Sequence, residues 1–115
     1  VVTLAQIRAV ASALPRTSEH LIRDYVKFRI GSIVYLSVSP DETLMGFGFP
    51  REERASLVES RPDTFQLPRP SDMRYQWVVA RMAALDEDEM HELVVDAWRM
   101  CVPKKVVAAY LASLG

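Results

Sequence analysis

The residues of this chain that could do chemistry fall into three groups. The first is a run of cations and rings, Arg23, Tyr25, Lys27 and Arg29, with Tyr35 close behind. At every second position of a strand such side chains share one face. The cations can neutralise phosphates there, and the rings can stack on bases. The same pattern also describes a solvated sheet face with cross-strand packing of Tyr against Lys or Arg. The second group is Asp86-Glu87-Asp88-Glu89 with His91 and Glu92. Clustered carboxylates suit a hard cation, but a helix N-terminus attracts the same anions through its dipole, and the simpler account predicts no metal site. The third group is the single Cys101 with the two histidines, His20 and His91. A nucleophile needs a partnered base, and nothing in the spacing brings either histidine to the thiol. The chain has no Gly-rich phosphate loop, zinc spacing or nucleophile elbow. The expectation is a protein without catalytic, metal or cofactor residues.

Composition sets the frame for these groups. The 115 residues are half apolar and one quarter charged, the balance of one globular domain spanning residues 1–115. One cysteine cannot form an internal disulfide. No apolar run is long enough for a membrane span, and no basic-then-apolar segment reads as a secretory signal, so the expected location is the cytoplasm. Val1 is not methionine, which leaves a trimmed start open. Eleven Arg against three Lys suggests a GC-rich bacterial genome. The net charge of −1 is unevenly spread, with +3 over residues 1–40 and −5 over residues 86–102.

The elements that must position the candidate residues follow from periodicity. Thr3 and Gln6 form a capping-box pattern, and Ile7, Val10, Ala11 and Leu14 make one face of a helix over residues 4–14, stopped by Pro15. Residues 16–20 read as a polar connection. From Leu21 to Ile30 the period is two, which predicts one strand, followed by a turn at Gly31-Ser32 and a second strand over Ile33–Val38. A three-residue loop, Ile30-Gly31-Ser32, sets Phe28 opposite Val34 and Val26 opposite Leu36. That register leaves Arg29, Lys27, Tyr25 and Tyr35 together on the other face.

Met45, Phe47 and Phe49 alternate with Leu44, Gly46 and Gly48 in a third strand, and neighbouring rings are expected to cover the two glycines. Pro50 opens a second helix, with Ala55, Leu57 and Val58 inward. Thr64–Leu67 and Arg74–Met82 are the fourth and fifth strands, and the inward face of the fifth is open because both are apolar. Asp86 and Glu89 cap a third helix with Met90, Leu93, Val94, Ala97, Trp98 and Cys101 on its stripe. A short helix follows Pro103. The order α-β-β-β-α-β-β-α-α predicts an α+β fold, a two-layer sandwich in which helices cover an antiparallel five-stranded sheet. Arg74, Arg81, Lys104 and Lys105 extend the basic face only if these elements turn them towards it.

Leu14-Pro15, Phe28-Arg29-Ile30-Gly31, Pro62-Asp63 with Phe65, Trp77-Val78, Leu85-Asp86, Asp96-Ala97-Trp98 and Pro103-Lys104-Lys105 stand in an order and spacing that resemble the MmcQ/YjbR family over nearly the whole chain. The departure is Gly31-Ser32-Ile33, where the family tends to have a Gly-Gly-Lys-like turn. The resemblance implies a small bacterial protein described as a predicted DNA-binding protein with a double-wing motif. It also implies a fold likened to frataxin-like proteins and secretion chaperones. The expected function is a non-enzymatic binding domain. DNA is its weakly held partner, contacted through Arg23, Tyr25, Lys27, Arg29 and Tyr35. The alternative is a protein-interaction or chaperone-like module that pairs with its own copy.

Overall fold

In the computed structural model, which describes residues 1–115, the predicted capping box forms. The Thr3 hydroxyl accepts from the Gln6 N–H at 3.2 Å, and the Gln6 side chain accepts from the Thr3 N–H at 2.9 Å. Helix α1 (Leu4–Ser12) follows and buries Ile7 and Ala11.

The next segment departs from the sequence reading. The stretch expected as a polar connection is the first part of an edge strand, β1 (Thr17–Ile22), and β2 covers Tyr25–Ile30. The single strand expected from Leu21 to Ile30 is therefore two strands. Ile22 pairs with Tyr25 across a two-residue turn, Arg23-Asp24. Both turn residues have positive φ, 53° and 68°, as a turn matching the strand twist requires, although neither is the usual Asn or Gly.

The second hairpin corrects the expected register. Ile30 pairs with Ile33 across Gly31-Ser32, so the loop has two residues rather than three. Gly31 takes φ +59° at the first turn position. Carried through, this register would oppose charge to apolar side chains along the whole strand. A β-bulge prevents that: Arg29 pairs with Val34, but Phe28 pairs with Leu36, leaving Tyr35 as the extra residue of β3 (Ile33–Val38). An extra residue re-aims a side chain and restores the face alternation beyond it. Val26, Phe28, Leu36 and Val38 thus share one face, and Tyr35 is drawn into the fold.

Strand β4 (Leu44–Gly48) pairs with β3, and after helix α2 (Arg54–Ser60) come β5 (Phe65–Gln66) and β6 (Trp77–Arg81). The sheet has six strands rather than five, in the order β1-β2-β3-β4-β6-β5, with every pairing antiparallel. The expected class holds: an α+β sandwich of one antiparallel sheet and helices. Phe28, Leu36, Val38, Met45, Phe47, Val78 and Ala80 line its core face. This settles β6, whose Val78 and Ala80 point inward while Trp77 and Val79 point away.

Pro50 begins a turn, not the helix. Inside α2 it is Arg54 that is buried, and Ala55 is exposed. Helix α3 (Glu87–Arg99) is capped by Asp86, which accepts from the Glu89 N–H at 2.8 Å. The Glu89 carboxylate does not complete the box, because it is paired with Arg61 beyond the end of α2. Met90, Val94, Ala97 and Trp98 are the buried stripe, with Leu93 and Cys101 half-buried beside it. The Trp98 indole donates to the Pro15 carbonyl at 2.9 Å, which ties α3 to the end of α1. Tyr110 of helix α4 (Lys104–Ser113) stacks edge-on against the Trp98 ring at 5.2 Å. No helix is long and apolar enough to cross a membrane.

Candidate functional site

On the side of the sheet turned away from the core, small side chains form a low floor. Ser37 of β3 lies opposite Gly46 of β4, with Gly48 beyond. The Trp77 indole lies directly over Gly46: an added Cβ there would stand 2.7 Å from Cζ2 and 2.8 Å from Nε1. Aromatic cover of this glycine is as expected. Gly48 instead faces Ala97 of α3, which a Cβ would approach to 3.7 Å.

Large polar side chains rise on both sides of the floor and make an open groove of about 1220 Å³. One wall is β2 and its hairpin tip, with Arg23, Tyr25 and Lys27. The other is the segment between β5 and β6, with Arg69, Arg74 and Tyr75, joined by Arg51. The C-terminal end of α3 lines it as well, through Met100 and Cys101.

Two arginines hold the second wall in place. Arg51 donates to the Arg74 carbonyl at 2.6 Å. Arg54, only 6% exposed, donates to the carbonyls of Met73, Tyr75 and Trp77. A buried guanidinium normally meets a carboxylate, whereas here the planar fork is filled by backbone oxygens alone. The segment that presents Arg74, Tyr75 and Trp77 is therefore fixed from behind.

The groove is electrostatically distinctive. Five cations and a single carboxylate, Asp72, line it, on a chain whose net charge is −1. Arg69 pairs with Asp72 at 3.0 Å. The hydrogen-bonded Asp72 carboxylate raises the Arg69 pKa. The other ion pairs are Arg8–Glu19 and Arg61–Glu89, so Arg23, Lys27, Arg51 and Arg74 have no acidic partner. Two of the four sit beside rings instead, with Lys27 Nζ 5.9 Å from the Tyr25 centroid and the Arg74 guanidinium 4.8 Å from that of Tyr75.

Of the residues predicted from sequence, Arg23, Tyr25 and Lys27 are brought together here. Arg29 is half-buried beside β1 and donates from Nη2 to the His20 ring at 3.1 Å, outside the groove lining. Its Nε is buried without a partner. Tyr35 borders the groove but is 0% exposed, so it offers no ring to a ligand. The bulge places its hydroxyl 2.8 Å from Thr17 Oγ1, and burial pushes its pKa up to about 12 against the opposing effect of that hydrogen bond. Arg81 turns away to the Pro62 carbonyl, and Lys104 and Lys105 stand outside the groove. The sequence reading missed Arg51 and Arg69. The one signal pointing to them was the Gly46 position, since glycine inside a strand marks a close approach and hence a face with something laid on it.

The catalytic inventory of the groove is thin. Cys101 lines it, but burial raises the thiol pKa, and a thiol held protonated is a poor nucleophile. Neither histidine borders it. Glu87 of the acidic run accepts from Gln6 at 2.7 Å, and no three His, Cys, Asp or Glu side chains converge to hold a metal.

Against known proteins, the YjbR family model matches residues 12–100. Among solved structures, the chain is similar to the crystal structure of Deinococcus radiodurans protein DR2400, which carries the family-model domain DUF419. The TM-score is 0.71 at 15% identity, over 84% of this chain and 75% of that one. At that identity the likeness concerns the fold alone. No curated protein matches the chain.

Proposed function

This chain belongs to the YjbR family, and on that premise we propose that it is a small, non-catalytic binding protein that holds nucleic acid weakly in the groove between β2 and the β5–β6 segment. The carrying observation is the set of cations on one face without acidic partners, beside exposed rings. Outside the groove Arg8 and Arg61 pair with carboxylates, while Arg16, Arg29, Arg54, Arg81, Arg99, Lys104 and Lys105 do not. What sets the groove apart is that four such cations share one concave surface with a single carboxylate, which favours a polyanionic ligand. The contacts in this reading are Arg23, Tyr25, Lys27, Arg51 and Arg74. The overall charge of −1 gives little long-range attraction, so affinity rests on a few local contacts.

Fluorescence anisotropy with labelled random-sequence oligonucleotides is the test. The expected dissociation constant is about micromolar or weaker at physiological salt, in the non-specific range, and it weakens further as salt rises. Binding that is absent at low salt, or unmoved by salt, contradicts the reading.

A second reading is self-association, and one observation favours it. β1 is an edge strand without proline, carrying Leu21 at 72% exposed. Such edges template pairing with another chain. Sedimentation of the protein over a concentration series tests this: a Leu21→Lys variant that stays monomeric where the parent dimerises supports it, and a parent that stays monomeric at high concentration rejects it.

A further inference from the structure

We propose that the groove takes single-stranded nucleic acid in preference to duplex, with bases stacked on Trp77, Tyr75 and Tyr25 and phosphates held by Arg23, Lys27 and Arg74. This rests on the nucleic-acid reading above and adds the form of the ligand.

Three observations lead to it. The first is the rings. Tyr25 is 38% and Tyr75 52% exposed, and the half-buried Trp77 indole, its Nε1–Cζ2 edge against Gly46, lines the groove between them. In a duplex the base faces are already stacked on each other, and a protein ring has nothing to stack on. In a single strand every base offers a free face. The second is the pairing of rings with cations. Lys27 stands beside Tyr25 and Arg74 beside Tyr75. A strand alternates anionic backbone and flat base, and each wall of the groove offers a cation and a ring within one side chain of each other.

The third is shape. Duplex readers place a helix or a two-stranded ribbon into the major groove. Here the exposed side of α3 carries Glu87, Asp88, Glu92 and Asp96, which repel phosphate. The β1–β2 ribbon does not project either, because β2 is paired to β3 from Val26 to Ile30. What remains is an open concave basic surface walled by β2 on one side and the β5–β6 segment on the other, along which a flexible strand can lie. The Arg54 clamp fixes the second wall before any ligand arrives, so little ordering is left to oppose binding.

The experiment compares four labelled ligands of equal length by anisotropy at one low salt concentration: oligodeoxythymidylate, oligouridylate, a fully abasic phosphodiester strand, and a duplex. The expected result is that at least one base-bearing single strand binds about tenfold or more tighter than both the abasic strand and the duplex, since stacking contributes of that order per base. The thymidylate and uridylate arms tell DNA from RNA as the source. Binding should quench tryptophan emission, and the quench should vanish in Trp77→Phe, because the remaining Trp98 is wholly buried. Tyr75→Ala, a substitution at an exposed and foldable position, should weaken strand binding roughly 5- to 100-fold. Equal affinity for abasic and base-bearing strands, or a duplex bound as tightly as the strands, overturns the proposal while leaving polyanion binding intact. Failure of all four ligands to bind overturns the underlying nucleic-acid reading as well.

Discussion

Arg54 does more for the shape of the groove than any residue that lines it. Its guanidinium is buried, without a carboxylate, against three carbonyls of the segment leading into β6. Arg54→Ala would leave those oxygens to water or to nothing, and we expect a loss of about 1–3 kcal/mol in urea unfolding. Arg54→Lys should recover little of it, because an ammonium cannot span a planar fork of acceptors. Loss within the noise for both would mean that the segment holds itself. Tyr35 supplies a pH test. Its folded pKa, about 12, lies above the ordinary tyrosine value. Its stabilising contribution is therefore fully present below pH 10 and is lost as pH rises through 12, since the unfolded chain ionises first. Absorbance titration should show one of the four tyrosines ionising late. In Tyr35→Phe that late step should disappear, with about 0.5–1.5 kcal/mol lost from the Thr17 hydrogen bond. Neither residue was legible in the sequence. An arginine following two glutamates reads as solvated helix surface, and Tyr35 sits in an alternation that assigns it to the open face. Burial of each depends on a distant partner: the carbonyls of residues 73–77 for Arg54, and a bulge for Tyr35.

At the scale of elements, legibility followed how local the determinant is. Helices α1 and α3 carry their own caps and 3.6-residue stripes, and both formed where the sequence places them. β1 did not declare itself, because an edge strand can be polar and because its turn, Arg23-Asp24, lacks the expected Asn-Gly. The register of β2 on β3 was illegible for a related reason. The expected three-residue loop keeps both faces chemically consistent by itself, whereas the molecule uses a two-residue loop and corrects it with a bulge. The strained turn yields a prediction. A left-handed conformation disfavours an L-residue by roughly 1–2 kcal/mol. Glycine's extra freedom in the unfolded chain offsets about half of that. Asp24→Gly should thus raise stability by about 0.5–1 kcal/mol, and a thermal unfolding midpoint below the parent's would show that Asp24 makes compensating contacts. Gly46→Ala tests the floor of the groove. The added methyl would meet both the Trp77 ring and the Ser37 hydroxyl, the latter at 2.9 Å. We expect about 1–3 kcal/mol of destabilisation by overpacking, with a shift in Trp77 emission as the indole is lifted into the groove. An unchanged spectrum would mean that the ring does not rest on this glycine.

For the whole molecule, the decisive feature is where charge is left unpaired. The lining of the groove holds five cations and one carboxylate, while the chain as a whole is −1. The remaining surface is therefore acidic, most densely on α3. The uneven charge was visible in the sequence, as was part of the β2 wall. Of the second wall only Arg74 was a candidate, with its direction open, and the strand expected from Arg74 begins at Trp77; Arg51 and Arg69 lie in irregular segments where no period fixes direction. The measurement that tests the central claim most directly is the salt dependence of oligonucleotide binding in two double variants. Lys27→Ala with Arg74→Ala removes one cation from each wall. Lys104→Ala with Lys105→Ala removes the same charge from the start of α4, outside the groove. On a single strand each phosphate contact contributes about 0.7 to the slope of log K against log salt. The groove variant should bind more weakly, with a slope shallower by about 1.4, and the α4 variant should match the parent. Equal losses in the two variants would contradict a defined groove site and leave only diffuse attraction to positive charge.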